Sequence, residues 1–262
     1  MTDIFLASLL LGLVAGIAAG LFGIGGGALI VPALVWLFQA QHFDPAKLML
    51  IAVATSLATA IFTSIAAVRT HHTLGNIDWR RTQHLAPSML LGASCGAVLA
   101  EYISANLLRW FFICYLLYTS LQMLMAKPMP PSTGPIRNFL DLPVGLFIGV
   151  LSALLGIGGG TMTVPYLTGT GLAIKNAVAT SSSCALPIAL SAAVSYALLG
   201  LNDSNLPSGS LGYLYLPAFA GIVLTSVLTA PIGAKLAHRL PALQLKRYFA
   251  AVLFLIAIKM TG

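Results

Sequence analysis

Two glycine-rich strings carry the strongest chemical signal in the chain: GIGGG at Gly23 to Gly27, and GIGGG again at Gly156 to Gly160. Such a run interrupts an apolar helix. Where a new helix starts directly after it, unpaired N–H groups and the positive end of the helix dipole favour an anion. Gly25, Gly26 and Gly27, with Gly158, Gly159 and Gly160, are therefore candidate main-chain donors. A second pair of strings, AVATS at Ala52 to Ser56 and at Ala177 to Ser181, offers hydroxyls. Thr55, Ser56, Thr180 and Ser181, with Ser182 and Ser183 adjoining, are neutral donors suited to an oxyanion. Competing readings stay open: the glycines also suit close helix packing, and Thr and Ser also bond back to their own helix carbonyls.

The doubling extends well beyond these strings. The windows Gly12 to Leu34 and Gly145 to Leu167, each of 23 residues, agree without a gap at 12 positions, among them Gly16/Gly149 and Val31-Pro32/Val164-Pro165. The repeat ends also align, with GAVLAEYISANLLRWFF from Gly96 matching GAKLAHRLPALQLKRYF from Gly233. The chain is thus an internal repeat, and its halves divide as 1–126, a linker at 127–141, and 142–262.

Composition sets the solvent. Hydrophobic residues make up 58% of the chain and charged residues 7%, against roughly 25% charged in soluble domains. Apolar runs of about 20 residues, the length a bilayer core demands, recur throughout. The expected fold class is an all-α polytopic membrane protein. The net charge of +7 belongs to loops rather than to a nucleic-acid surface. The start, MTDIFLASLL, lacks the basic region of a cleavable signal peptide and reads as the first span. Cys95, Cys114 and Cys184 fall inside apolar segments without metal or disulfide spacing and read as small buried side chains.

In chain order, a segment from Ile4 to about Ala40 is far longer than one crossing needs and should break between Gly23 and Val31. Pro32 suits the first position of the new half-helix, and Pro165 does so in the second copy. Spans are expected over residues 48–68, 85–100 and 107–126, with a solvated loop from Arg69 to His84 that includes His71 and His72. KPMPPSTGPIRNFLD, Lys127 to Asp141, reads as the linker. A second broken segment over residues 142–168 and spans over 177–199, 213–234 and 245–258 follow.

Basic residues in short loops set orientation. If each broken segment crosses once, six basic residues lie inside and seven outside, which is no bias. If each turns back at its glycines, Arg69, Arg80, Arg81, Lys127, Arg137, Lys175, Lys235, Arg239, Lys246 and Arg247 lie inside. Only Lys47, Arg109 and Lys259 then lie outside. The second sorting predicts two inverted repeats, each a Gly-broken membrane hairpin plus three transmembrane helices, with both termini outside and the linker cytoplasmic. Inverted repeats whose broken helices meet at the midplane are a common build of secondary transporters. No Lys, Arg, Asp or Glu is expected deep in a span, so substrate charge would be met by dipoles and hydrogen bonds.

Both GxGGGxxxVP motifs, both AVATS strings and the GAKLAHRL segment at Gly233 to Leu240 resemble the TauE/SafE family of membrane transporters, also called the sulfite exporter or toluenesulfonate uptake permease family. The resemblance covers nearly the whole chain. It implies a secondary transporter of small sulfur-containing anions such as sulfite, thiosulfate or organosulfonates, set in the bacterial cytoplasmic (inner) membrane. A passive anion channel and a carrier of a non-sulfur organic anion stay open beside it. The sequence has no HExxH, GxSxG or intramembrane carboxylate pair, which speaks against an enzyme, and no GxxxxGK[ST] loop for ATP. The expected partners are a small anion and the lipid bilayer, with no cofactor, metal or nucleic acid. A coupling ion and a homo-oligomer are left open.

Overall fold

The computed structural model describes residues 2–22, 26–125, 140–203, 205–237 and 242–261. Ten helices run through them in the order α1 Thr2–Phe22, α2 Gly27–Ala40, α3 Pro45–Thr73, α4 Trp79–Tyr102, α5 Ala105–Met125, α6 Asp141–Leu155, α7 Gly160–Gly169, α8 Ile174–Leu199, α9 Leu216–Ala237 and α10 Ala242–Thr261. A short antiparallel ribbon, β1 Ser210–Leu211 with β2 Leu214–Tyr215, leads into α9. Six helices, α1, α3, α4, α5, α8 and α9, are long and apolar enough to cross a membrane, while α2 and α6 are apolar but shorter. Leu10, Leu91, Tyr118, Leu228 and Leu255 point outward, an apolar surface that lipid covers and water would not tolerate.

Helix starts follow local chemistry. The Asp44 carboxylate accepts from the Ala46 N–H at 2.9 Å ahead of Pro45, and the Asp78 carboxylate accepts from the Arg81 N–H at 3.1 Å. At the breaks the cap is glycine: Gly26 has φ 78° and Gly159 φ 74°, left-handed values that a side chain would resist.

Small residues govern packing. α1 lies beside α9 and α6 beside α4, each pair joining one half of the sequence to the other. A Cβ on Gly16 would stand 2.1 Å from Thr229 Oγ1 and 2.7 Å from Ser226 Cα, and one on Gly149 2.3 Å from the Met89 carbonyl. Contacts advance in step, Gly12 on Ile222, Gly16 on Ser226, Gly20 on Ala230, so α1 and α9 run in the same direction. Gly145 on Ser88 and Gly149 on Met89 do likewise for α6 and α4. Without a hydrophobic drive between helices in lipid, this approach of backbones is what holds them together.

Several sequence expectations need correction. Pro32 and Pro165 lie inside α2 and α7 rather than at their heads. The glycine caps have already begun each helix, with Leu29 and Ile30 both donating to the Gly26 carbonyl, so the missing proline N–H merely frees the carbonyl four residues earlier. The loop from Arg69 to His84 is mostly helix, because α3 runs on to Thr73 and α4 starts at Trp79; His71 is buried. Cys184 is buried, but Cys95 and Cys114 face outward, since an apolar helix in lipid needs no buried face for a thiol. The linker residues 127–139 lie outside the described residues.

Candidate functional site

The two breaks touch. A Cβ on Gly27 would stand 2.1 Å from the Gly156 carbonyl oxygen and 2.9 Å from Ile157 Cα, a contact between backbone and backbone. The same Gly156 carbonyl accepts from Ser56 Oγ at 2.8 Å. Beyond it the chain turns at Gly156, φ 68°, and Gly159 before α7 begins. Gly158 and Gly160 are buried there, and Gly159 has Ile188 Cδ1 and Ser152 Oγ at 2.8 and 3.0 Å from an added Cβ. Ser152 Oγ is buried with no hydrogen-bond partner among the described residues. Gly26 and Gly27 hold the matching place before α2; Gly25 lies outside the described residues.

The AVATS hydroxyls tie the halves together. Thr55 Oγ1 accepts from the Tyr215 N–H at 3.0 Å, at the entry to α9. Thr180 Oγ1 accepts from the Asp78 N–H at 3.0 Å, at the entry to α4. Each threonine thus receives a donor from the opposite half, buried at Tyr215 and partly buried at Asp78. Ser183 donates to the Thr180 carbonyl at 2.7 Å and shares a 2.6 Å bond with Thr82, whereas Ser182 bonds back to the Val178 carbonyl. Thr55, Ser56, Thr180 and Ser181 are all fully buried. Protein packs this region on every side, while an open cleft of about 490 Å³ lies elsewhere, at the α2, α3 and α5 ends near Gln39, His42, Asn106 and Arg109.

Sequence reading missed the charged groups beside this core. Arg81 belongs to the expected Arg69–His84 loop and Asp141 ends the expected linker, yet they are 3% and 2% exposed, with Arg81 Nη1 3.2 and 3.4 Å from the Asp141 oxygens. Tyr166 O–H donates to the same carboxylate, so α7 doubles back and returns its end to the start of α6. Arg81 Nη2 is buried without a hydrogen-bond partner among the described residues. A lone arginine after Arg80 and one aspartate ahead of an apolar run gave no spacing signal, because their meeting is purely tertiary. At the opposite end Lys47 pairs with Asp203, whose carboxyl is held below its ordinary range chiefly by the Lys47 ammonium. Burial and the nearby Glu101 and Asp203 carboxylates push Tyr213 up to about 12.

Interrupted helices that meet inside an apolar, multi-span helical protein are a build that membrane transporters use. Residues 8–260 match the family model described as Sulfite exporter TauE/SafE, and the chain belongs to that family. It is similar to a "Probable membrane transporter protein" of Haemophilus influenzae, 37% identical over 99% of both chains. A protein of the same description from Methanocaldococcus jannaschii is 26% identical over 86% of this chain and 80% of its own. Bacillus subtilis YunE, also so described, is 29% identical over 62% and 67%. No solved structure matches the chain.

Proposed function

We propose that the chain is a secondary carrier of a small sulfur-containing anion, of the sulfite, thiosulfate or sulfonate kind, through a midplane site between two inverted repeats joined by a cytoplasmic linker. One observation carries this reading: the Gly27 and Gly156 backbones are in contact, so the start of α2 abuts the break that leads from α6 into α7, and helix N-termini that follow such breaks favour an anion. Gly25 to Gly27 and Gly158 to Gly160 supply N–H donors there. Thr55, Ser56, Thr180 and Ser181 supply hydroxyls; Thr55 and Thr180, whose oxygens accept from Tyr215 and Asp78, still have their own protons to donate, whereas Ser56 would have to release the Gly156 carbonyl. The family description supports a sulfur oxyanion as cargo.

The test is a binding and flux screen of purified protein against sulfite, thiosulfate, methanesulfonate and a carboxylate. A sulfur anion should bind and accumulate in proteoliposomes against its own gradient when an ion gradient is imposed, and Gly159→Val should abolish this. Flux that only ever runs downhill identifies a channel, and uptake by correctly inserted Gly159→Val protein removes the glycine site.

A further inference from the structure

We propose that Arg81 and Asp141 form a proton-operated anion site: a proton taken up by Asp141 releases the Arg81 guanidinium to hold the transported oxyanion. This rests on the carrier reading above and names its coupling ion and charged receptor.

The pair is buried at 3% and 2% exposure and bridges α4 of one half to α6 of the other. Taking two charges out of water is seldom repaid in stability relative to apolar packing, and this molecule contains the comparison. Counting back from Gly96/Gly233, Arg81 falls opposite Ala218; counting back from Gly16/Gly149, Asp141 falls opposite Ser8. The glycine contacts keep that register, with Gly145 on Ser88 and Gly12 on Thr225. Ser8 and Ala218 are fully buried in the α1/α9 pair. The same helix pairing is therefore made without charges, and the fold does not need them.

The guanidinium is also under-used. Among the described residues Nη1 holds the carboxylate while Nη2 is buried with no partner, although a planar fork is built to hold an oxyanion with two parallel bonds. Asp141 occupies the position a substrate oxyanion would take. The groups facing it among the described residues are Arg81 from α4, Tyr166 from α7 and, through space, Cys184 from α8; the Asp78 carboxylate caps the head of α4 and accepts from the Arg81 N–H. Arg69, Arg80 and His84 are exposed.

When the carboxylate takes a proton from solution, its bonds to Nη1 loosen, and Nη1, Nη2 and the Tyr166 O–H become donors to the incoming anion. The buried sum stays at zero for a monoanion: a cation and a carboxylate before, a cation, a neutral acid and an anion after. No further charge is desolvated, and the anion cannot settle without the proton.

The experiment measures binding of methanesulfonate and benzenesulfonate, monoanions neither of which titrates near neutral pH, to purified full-length protein across a pH series. It also measures proton uptake on binding in weakly buffered solution. One proton per anion is expected, with affinity rising about tenfold for each unit fall in pH. Asp141→Asn should bind with the low-pH affinity at every pH, and Arg81→Gln should lose binding throughout. Proton uptake needs no variant, so it decides the matter even where a substitution fails to fold. Anion binding with no proton taken up, or an Asp141→Asn protein with the wild-type pH slope, overturns this inference and leaves the carrier reading standing. Wild-type protein that binds neither anion overturns both.

Discussion

Gly27→Ala is the sharpest probe of the contact between the breaks. The added methyl would stand 2.1 Å from the Gly156 carbonyl oxygen, 2.9 Å from Ile157 Cα and 3.0 Å from the Gly156 carbonyl carbon. All three are backbone atoms, which cannot rotate away as a side chain does. Restoring an ordinary carbon–oxygen separation means parting the two breaks by roughly 1 Å, and overpacking of this kind costs about 1–3 kcal/mol. For a chain of this length that corresponds to a melting temperature lower by about 3–10 °C. A displacement of 1 Å at a binding site can also cost about a hundredfold in rate, so substrate flux should fall by at least tenfold. Gly169→Ala is the matched control, because a Cβ there meets nothing within 4 Å and alanine is the better helix former by up to ~1 kcal/mol. Thermal unfolding in detergent and flux in proteoliposomes read both. A Gly27→Ala protein that melts and transports like Gly169→Ala would show that the breaks are not pressed together, and the reasoning from them would go.

Thr55→Val leaves the buried Tyr215 N–H without its acceptor and should lower stability by about 1–3 kcal/mol, while Thr180→Val frees the partly buried Asp78 N–H and should cost about 0.5–1.5 kcal/mol in denaturant titrations; both should weaken anion binding, whereas unchanged unfolding curves would remove the proposed tie between halves. Asp203 is depressed by Lys47, so the stability it adds is present above the unfolded carboxyl value of 3.8 and is lost as pH falls through the lower folded value. Asp203→Asn should therefore forfeit up to ~1 kcal/mol at neutral pH and flatten the acid limb of a melting-temperature profile, and a profile parallel to wild type counts against the pair. A reporter fused after Gly262 should be active only outside the cytoplasm; cytoplasmic activity would overturn the ten-to-three sorting of basic residues.

How much was legible depended on whether the cause was local. The spans were readable because apolar length is a sum along the chain, and the breaks because glycine acts on its own backbone at Gly26 and Gly159. Even there the helix starts were misplaced: proline's preference for a first turn is weaker than a left-handed glycine that has already turned the chain. The hydroxyls of Thr55 and Thr180 could be named but not their partners, since Tyr215 and Asp78 are 160 and 102 residues away in sequence. Arg81 and Asp141 were passed over for the same reason. A charge at a helix end looks solvated until another helix is laid across it, and the 60 residues between them carry no periodic trace of that contact.

The cross-half ties have a common geometry that bears on how such a molecule moves. Arg81 with Asp141 fastens the start of α4 to the start of α6, and Lys47 with Asp203 fastens the start of α3 to the loop beyond α8. The starts of α3 and α4 are opposite ends of one helical hairpin, so the two ion pairs sit at opposite ends of the bundle with the glycine breaks between them. With both fastened, the centre is sealed, in keeping with the complete burial of Thr55, Ser56 and Thr180. Opening toward one side then requires only that side's pair to part while the other holds. The two pairs are unequal: the buried one breaks only when something replaces the lost charge, whereas the partly exposed one, at 23% and 17%, can exchange with water. On the proton-operated proposal, the end closed by Arg81 and Asp141 is the one that cargo and proton together would unlock.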